Sequence, residues 1–578
     1  MGLAAGIRHS GMGRQPAWLL AVVLLFSGAM VLRLAWLQLH QGAENRQRAD
    51  ENRIRLVPRN PIRGRLLDRQ GRVLATSRLT YNLYIQPRQV GDHSWPALRD
   101  RLASLLSIPA SQLDQQRRQG GDSAGFRIQL AEGLKPEQVL RFREQADNLQ
   151  GAEVDVDVLR HYPHGRLGAH VLGYISGITE EEYARLRERG YRIRDRVGRS
   201  GVEKAFEVHL RGEWGGQQVE VNAAGEVQRV LGEKPASAGK DLRLTLDLPL
   251  QQAAERALDG VRKGAIVAMD AQTGAIRALA SRPTYDPNLF SPAPSVSQWR
   301  DLNAPDAPLL NRALQGFPPA STFKIVTSIA ALESGKYAPD SKELTTGSFC
   351  HAGLCYRDHV SMGSIGFPLA LALSSNSFFY RAGLKMGPDP LFKAARQLGF
   401  GSPTGLELEE ESAGLLGDQA WKKSVLGESW TAVDTITASI GQGAVLVTPL
   451  QMARMYAALA NGGWLVTPHL VERVPQRKWI GFQPQTLATV RQGLRKAVQE
   501  GTAKALNDPG LPPAAGKTGT AEDPPRLVHA WFGGYAPAEQ AQLVVIALGE
   551  NSGGYGGTVA APMARTLMGT WFRPSPER

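Results

Sequence analysis

Three short motifs, far apart along the chain, limit the folds that this sequence can adopt, because their side chains must meet to act together. A serine and a lysine stand one helical turn apart at Ser321 and Lys324. A Ser-x-Asn motif follows at Ser374 and Asn376, and Lys517 begins a Lys-Thr-Gly-Thr run near the C-terminus. Only a fold that packs the middle of the chain against its C-terminal part can join all three.

The spacing of Ser321 and Lys324 is typical of an activated nucleophile. A serine hydroxyl attacks poorly until a neighbouring base removes its proton. Two prolines precede Ser321 and apolar residues follow it at helical spacing, so we expect Ser321 to open a buried helix with Lys324 on the same face. To act as a base, Lys324 needs a pKa far below the ordinary value of about 10.4. Burial and a second cation both lower a lysine pKa, and Lys517 is the candidate for that cation.

Taken singly, the other two motifs have simpler explanations. Ser374 could be a helix cap, and Lys517 could be a solvated charge on a strand. Their order along the chain, after a serine–lysine pair, favours a shared catalytic site.

An apolar run over residues 17–39 predicts a membrane anchor. Trp18 and Trp36 lie near its two ends, where interfacial aromatic residues are found, and Arg33 is close enough to one end to reach the interface. A cleaved signal peptide is the alternative, because the small residues 27–29 could form a cleavage site. In either case the rest of the chain is exported, and residues 1–16 are expected to be a cytoplasmic tail.

The formal net charge of +13 is compatible with nucleic acid, anionic lipid or an acidic polymer as a partner. No zinc-finger, RNP or helix-turn-helix pattern occurs, so we expect no nucleic acid partner. A basic surface beside an anionic membrane or wall is the better interpretation.

The two cysteines, Cys350 and Cys355, lie in the part of the chain that is expected to be exported. A short-loop disulfide or two free thiols are both open. His351 and His359 are close in sequence, but no zinc-type spacing is present, so we expect no metal site.

Two regions are expected after the anchor. Residues 40–245 carry no catalytic motif and predict an extended α+β pedestal, whereas residues 246–573 predict an α/β catalytic domain. In that domain we expect a helix from Pro249 to Leu258, a β-hairpin over residues 264–280 and a long helical middle. Three further strands are expected over residues 514–521, 529–535 and 543–548. Five mostly antiparallel strands flanked by helices would place the Lys517 strand against the Ser321 helix.

The three motifs together resemble those of the penicillin-binding transpeptidases, which share a catalytic fold with the serine β-lactamases. The likeness covers nearly the whole chain from the anchor onward. Further segments resemble this family, and those before residue 245 resemble the pedestal of its class B, elongation-type members: residues 52–58, 63–64, 160–163, 198–203, 440–443, 448–453 and 529–535.

The resemblance implies a role for each motif residue. Ser321 would attack the D-Ala-D-Ala amide of a peptidoglycan stem peptide and release D-alanine, while Lys324 takes its proton. Ser374 would relay a proton to the leaving amine, and Asn376 would hold the substrate backbone. An acceptor amine of a neighbouring stem peptide would then take the acyl group, which makes a cross-link.

The Lys-Thr-Gly-Thr run is expected to bind the substrate. By resemblance, Lys517, Thr518 and Thr520 would bind the terminal carboxylate through charge-assisted contacts. Gly519 would let the substrate lie against the strand. The backbone amides of Ser321 and Thr520 would form the oxyanion hole.

The resemblance also implies where the protein works and with what. β-Lactams would acylate Ser321, and no cofactor is expected. The protein would be a single-pass protein of the bacterial inner membrane, with its catalytic domain on the periplasmic or extracellular side. Its partners would be a polytopic glycosyltransferase and other proteins of the cell-wall elongation complex.

Other functions fit parts of the pattern. A D,D-carboxypeptidase uses the same acyl chemistry with water as acceptor, and a non-turnover scaffold or sensor could keep the acylation step alone. A β-lactamase is disfavoured because neither Glu-x-x-Leu-Asn nor Tyr-Gly-Asn occurs. A bifunctional synthase is disfavoured because the pedestal lacks the acidic signature of a glycosyltransferase.

Overall fold

The computed structural model describes residues 15–40, 54–87, 89–120, 128–193, 195–221, 227–291 and 294–573. The chain divides into two compact units, one built from Met1–Pro61 with Glu213–Ser237 and the other from Ile62–Gly212 with Ala238–Arg578. Most of the expected cytoplasmic tail lies outside the described residues, as do residues 52 and 53 of the first pedestal segment.

The strands are short in the first half of the chain, with the exception of two that pair with each other. They are β1 (Ile54–Arg59), β2 (Leu66–Leu67), β3 (Val73–Ile85), β4 (Ile128–Leu134), β5 (Ala152–His161), β6 (Ile175–Gly177), β7 (Arg196–Gly198), β8 (Gly215–Val221), β9 (Val227–Lys234) and β10 (Leu242–Arg243). In the second half they are β11 (Gly264–Asp270), β12 (Ile276–Arg282), β13 (Lys342–Thr345), β14 (Ser348–His351), β15 (Leu354–Arg357), β16 (Gly363–Gly366), β17 (Leu415–Leu416), β18 (Val445–Leu446), β19 (Trp464–Val466), β20 (Arg477–Trp479), β21 (Ala515–Asp523), β22 (Arg526–Ala536) and β23 (Leu543–Gly549).

The α-helices are concentrated in the second half of the chain. Before residue 245 they are Gln15–Ala35, Trp95–Leu106, Ala110–Gly120, Pro136–Glu144, Ala169–Leu172, Glu180–Leu186, Gly201–Ala205 and Glu207–Leu210. After it they are Leu248–Ala257, Val296–Leu302, Lys324–Glu333, Phe367–Leu373, Asn376–Met386, Pro388–Gln397, Gln419–Trp421, Ala432–Ser439, Pro449–Ala460, Pro484–Gln499 and Ala560–Phe572.

The first unit contains an apolar helix and a small sheet. Trp18–Leu39 is long and apolar enough to cross a membrane, with a mean hydropathy of 2.2, and none of its most apolar stretch is buried. An uncovered apolar helix of this length is what a membrane anchor requires. The sheet has the order β1-β8-β9, with antiparallel pairing throughout.

The second unit contains the expected five-stranded antiparallel sheet, in the order β12-β11-β23-β22-β21. Successive side chains of each strand point to opposite faces of the sheet, and both faces are buried. On β11, Val267 packs into a core with the helices of the middle region, whereas Ile266 and Ala268 pack towards the helices Leu248–Ala257 and Ala560–Phe572. The α/β fold class predicted from the sequence is therefore confirmed.

The middle of the chain differs from the expectation of helices alone. Four two-stranded sheets interrupt it: β13 with β16, β14 with β15, β17 with β18, and β19 with β20. Each strand has two to four residues, which is too short for an alternating pattern to stand out from its surroundings.

A buried ion cluster joins three of the pedestal segments within the second unit. Glu203, which has no exposed surface, accepts hydrogen bonds from Arg63 at 2.6 Å, from Arg160 at 2.7 Å and from the Tyr162 hydroxyl at 3.2 Å. Arg63 also donates to Glu207 at 2.7 Å. Burial alone would raise the pKa of Glu203, but the two guanidinium groups outweigh it, so the pKa lies below its ordinary value.

Candidate active site

Ser321 lies in a tight turn that precedes its helix. Ala320–Phe323 is a 3-10 turn, and the α-helix begins at Lys324, three residues later than the sequence predicts. Ala320 has a φ of 47° and donates its N–H to Gly441 O at 2.9 Å. A non-glycine residue in this region costs on the order of 1–3 kcal/mol and persists only where its surroundings hold it. Gly441 supplies that hold, because a Cβ there would lie 2.4 Å from Ala320 O.

The structure brings Lys324 directly to the Ser-x-Asn motif. Its Nζ donates to Ser374 O at 2.7 Å and to Asn376 Oδ1 at 2.6 Å, and Ser374 Oγ lies 3.3 Å away. Within the described residues the Ser321 hydroxyl makes no hydrogen bond of its own. An uncharged amine has two N–H donors and one lone pair, so the two carbonyl contacts leave that lone pair for a hydroxyl proton.

Lys324 and Lys517 are both completely buried. Burial, and then the charge of Lys517, hold the pKa of Lys324 well below its ordinary value, although Asp358 opposes this. Burial lowers the pKa of Lys517 to about 7. A lysine whose pKa is lowered in this way is a better general base than an exposed lysine, which is the property that the motif spacing predicts for Lys324.

Backbone geometry explains why both Ser374 and Asn376 face the lysine. Ser374 ends the helix Phe367–Leu373 in a left-handed conformation, with a φ of 60°. Ser375 then caps the helix Asn376–Met386 by accepting from Phe378 N. The side chain that caps the start of a helix is therefore that of Ser375, whereas Ser374 ends the preceding helix and contacts Lys324.

Asp358 is a site residue that sequence reasoning missed. Its buried carboxylate accepts hydrogen bonds from the hydroxyls of Ser375 at 2.7 Å and of Ser377 at 2.6 Å. No motif spacing marks it, since it approaches the Ser-x-Asn turn through the small sheets of the middle region. The only sequence signal was its place in the interval between Ser321 and Ser374, close to the cysteine pair.

The Lys-Thr-Gly-Thr run lies on β21, which pairs with β22 on one side and, within the described residues, with no strand on the other. Gly519 packs towards the serine turn, where a Cβ would lie 3.0 Å from Pro319 O and 3.1 Å from Thr322 Cγ2. The close approach at Gly519 is therefore made by the protein's own chain. Trp531 donates its Nε1–H to Pro318 O at 2.9 Å and fixes the same turn.

Thr518 and Thr520 leave β21 on the face opposite to Lys517, because side chains alternate along a strand. The Thr518 hydroxyl lies 2.6 Å from the hydroxyl of Thr502, and the Thr520 hydroxyl accepts from Gly556 N at 3.2 Å. The structure thus groups Ser321, Lys324, Ser374, Asn376 and Lys517 on one side of the strand. The two threonine hydroxyls lie along its other side.

The cysteine pair forms a disulfide between Cys350 and Cys355, which decides between the alternatives left open by the sequence. In the part of the chain that the structure describes, no group of three or more His, Cys, Asp or Glu side chains could hold a metal ion.

Comparisons with known proteins agree with this geometry. Residues 264–569 match the penicillin-binding protein transpeptidase domain, and residues 58–244 match the penicillin-binding protein dimerisation domain. The chain is 32% identical to a peptidoglycan D,D-transpeptidase MrdA from Haemophilus influenzae, over 94% of this chain and 89% of the relative. It is 35% identical to the Escherichia coli protein of the same name, over 84% of this chain and 79% of the relative.

Solved structures with a similar fold include two that were determined as complexes. One, the complex between the penicillin-binding protein PBP2 and MreC from Helicobacter pylori, matches with a TM-score of 0.83 at 26% identity, over 90% of this chain and 99% of that one. A chain of a peptidoglycan synthase complex, solved to study the coordination of polymerization and crosslinking, matches with a TM-score of 0.73 at 34% identity, over 98% of this chain and 100% of that one.

Proposed function

Because this chain belongs to the penicillin-binding proteins and is a peptidoglycan D,D-transpeptidase, we propose that it cross-links stem peptides through an acyl ester on Ser321 during cell-wall elongation. One observation carries the assignment of residues: Lys324 is wholly buried, bonded to both Ser374 and Asn376, and one turn from Ser321. Burial and the charge of Lys517 lower its pKa, which favours a role as the base.

The acylation step follows from these contacts. Ser321 Oγ attacks the carbonyl carbon of the penultimate D-alanine, and its proton passes to Lys324 Nζ. The backbone amides of Ser321 and Thr520 stabilise the oxyanion. When the C–N bond breaks, the leaving nitrogen takes a proton through Ser374 Oγ, which lies 3.3 Å from Lys324, and free D-alanine departs.

The second step resolves the ester. The amine of a neighbouring stem peptide attacks the ester carbonyl carbon, loses a proton, and returns Ser321 to its hydroxyl form. Asn376 holds the donor backbone. The terminal carboxylate of the donor lies before acylation at the edge of β21 that pairs with no other described strand, where Lys517 reaches it from one face of the strand and Thr518 and Thr520 reach it from the other. The threonine hydroxyls each contact protein groups, yet a hydroxyl that accepts a bond still has its own proton to donate. Gly519 keeps the strand close to Ser321.

The balance between products separates this proposal from a D,D-carboxypeptidase. With membrane-bound glycan strands as substrate, we expect cross-linked dimers to form together with one free D-alanine for each cross-link. A carboxypeptidase would release D-alanine without dimers, and a non-turnover scaffold would release at most one D-alanine for each protein molecule. Chromatography of digested product and a D-alanine assay measure both quantities.

The pH profile of acylation is expected to be bell-shaped. The rate rises as Lys324 loses its proton, at a pH well below the ordinary lysine pKa. The rate falls as Lys517, whose pKa is about 7, loses its charge. A neutral amine no longer pairs with the carboxylate of the substrate. Stopped-flow labelling with a fluorescent penicillin measures the second-order rate constant across this range.

The variant Lys517→Met should be about ten- to a hundredfold slower and should lack the falling limb. A falling limb that persists in Lys517→Met would contradict the assignment of Lys517.

Further proposals concern location, domains and partners. The uncovered apolar helix Trp18–Leu39 is consistent with a membrane-anchored protein; we place the catalytic domain on the periplasmic side of the inner membrane. We keep the proposed boundaries of the anchor at 17–39, the pedestal at 40–245 and the transpeptidase domain at 246–573. The related proteins solved with MreC and within a synthase complex support a polytopic glycosyltransferase and other elongation proteins as partners.

A further inference from the structure

The hairpin of β14 and β15 packs against the helix Asn376–Met386. Phe349, on β14, is buried beside Tyr380 of that helix, with ring centroids 5.7 Å apart. Cys350 and Cys355 face each other across the two strands and are both exposed. The disulfide therefore fills no core, and its effect is to hold the two strands of the hairpin together.

Asp358 connects this hairpin to the catalytic turn. It follows β15 directly, and its N–H donates to Gly347 O at 3.0 Å, which closes the base of the hairpin. Its carboxylate accepts from the hydroxyls of Ser375 and Ser377 and from Ser377 N at 2.7 Å. A carboxylate at this position is also favoured by the positive end of the helix that begins at Asn376.

The hairpin makes a second contact with the same turn. Asn376 donates its Nδ2–H to Arg357 O, at the end of β15, at 3.5 Å. The Oδ1 atom of the same amide accepts from Lys324. The orientation of the Asn376 amide is thus set from one side by the hairpin and from the other by the lysine.

We propose that Asp358 is a positioning residue for Ser374 and Asn376, held in place by the disulfide-closed hairpin, and that its carboxylate is the buried counter-charge to Lys324. This inference rests on the proposed roles of Ser321 and Lys324. Neither the three catalytic motifs nor the matched domains assign a role to Asp358 or to the cysteine pair.

Charge supports the second part of the proposal. The side chain of Asp358 has no exposed surface, and its negative charge raises the pKa of Lys324 against the effects of burial and of Lys517. Its own pKa stays low despite burial, because hydrogen bonds from Ser377, Asn376 and Ser375 favour the ionised form. Other titratable groups near Asp358 are His359, whose Nδ1 lies 3.6 Å from Oδ1, and Tyr380.

The variant Asp358→Asn tests both parts. We expect acylation by a fluorescent penicillin to slow by about ten- to a hundredfold, because the amide directs N–H donors at groups that are themselves donors. We also expect the rising limb of the pH profile to move to lower pH, since protonated Lys324 loses its counter-charge. A residue with a purely structural role would lower the rate without moving the limb. Repeating the profile with His359→Gln in both backgrounds shows whether the neighbouring imidazole contributes to the movement of the limb.

Further variants make the outcomes distinct. Asp358→Glu keeps the charge and should return the rising limb towards its original pH, even if the rate stays low. Replacing both Cys350 and Cys355 by serine should slow acylation severalfold without moving the limb, because Asp358 remains. Asp389→Asn, which alters an exposed acid on the next helix, should match the wild type.

A wild-type rate and pH profile in Asp358→Asn would overturn the proposal, as would a lowered rate with an unmoved limb. If the Asp358→Asn protein is unstable, the other two variants test the proposal. A wild-type rate in the double serine variant would overturn the role of the hairpin. In Asp358→Glu, which keeps the counter-charge, the rising limb is expected to stay where it is in the wild type. If the wild-type protein itself is not labelled by the fluorescent penicillin, the proposed role of Ser321 is refuted. The failure of the proposed function can therefore be told apart from the failure of the proposed role of Asp358.

Discussion

The variant Ser321→Ala is expected to lose all covalent labelling by a fluorescent penicillin while keeping its fold. Alanine has no atom that can form the ester, so the loss should be complete. Ser328, which also lies one turn from Lys324, is buried and donates its hydroxyl to Lys324 O at 2.8 Å. The Ser321 hydroxyl makes no hydrogen bond within the described residues. Its removal should therefore change the free energy of unfolding by no more than about 0.5 kcal/mol. Gel fluorescence and thermal unfolding measure the two quantities.

A matched serine variant is available on the same helix. Ser334 ends the helix Lys324–Glu333 and bonds only to nearby backbone, so Ser334→Ala should be labelled like the wild type. If Ser321→Ala is still labelled at the same stoichiometry, the nucleophile lies elsewhere and the assignment of the three motifs is wrong.

The variant Glu203→Gln is expected to lose about 3–5 kcal/mol of unfolding free energy. Gln cannot balance the charges of Arg63 and Arg160, which both bond to the Glu203 carboxylate and are almost fully buried. Its amide nitrogen would also face their N–H donors. Denaturant unfolding of wild type and variant gives the difference, and a loss below about 1 kcal/mol would contradict the inferred cost of leaving the two arginines unpaired.

An exposed ion pair beside this cluster provides the control. Lys204, the next residue, pairs with Glu409 at 2.6 Å, and both side chains are largely exposed. Because solvent screens such pairs, Glu409→Gln should cost less than about 1 kcal/mol of unfolding free energy.

The pKa of Glu203 is lower in the folded state than its ordinary value. The stabilising effect of Glu203 is therefore present above that ordinary value and is lost as the pH falls through the folded pKa. The difference between wild type and Glu203→Gln should therefore shrink in acid.

The central sheet and the meeting of the catalytic motifs could be predicted from the sequence. The strands around Val267, Lys517 and Trp531 carry strong local patterns, and the five-stranded antiparallel sheet follows from them. The sequence predicts that Lys324 and Lys517 lie near each other because the proposed chemistry requires a second cation beside the base. The structure then explains features that the motifs leave open, such as the left-handed Ser374 that turns the Ser-x-Asn motif towards Lys324.

The support around the site could not be predicted in this way. Asp358 reaches Ser375 through two short hairpins, and Gly441 reaches Ala320 from a distant helix end. These contacts depend on three-dimensional packing between segments that have no shared periodicity. In the sequence, the pedestal segments around Arg63, Arg160 and Glu203 show only a likeness to a family. In the structure, the ion cluster joins these segments physically.

The order of strands in the central sheet also governs when the enzyme can become active. Gly264, near the start of the catalytic domain, pairs with Gly549, near its end. Among the described strands, β21 pairs only with β22, which in turn pairs with β23. Pairing of strands so far apart in sequence gives this topology a high contact order. Folding is therefore slow, because closing a long loop is entropically costly. During synthesis the Ser321 turn and its helix exist long before Lys517 can be placed beside them. A nascent chain therefore holds an unactivated serine, and reactivity towards acyl donors arises only once almost the whole polypeptide has been made.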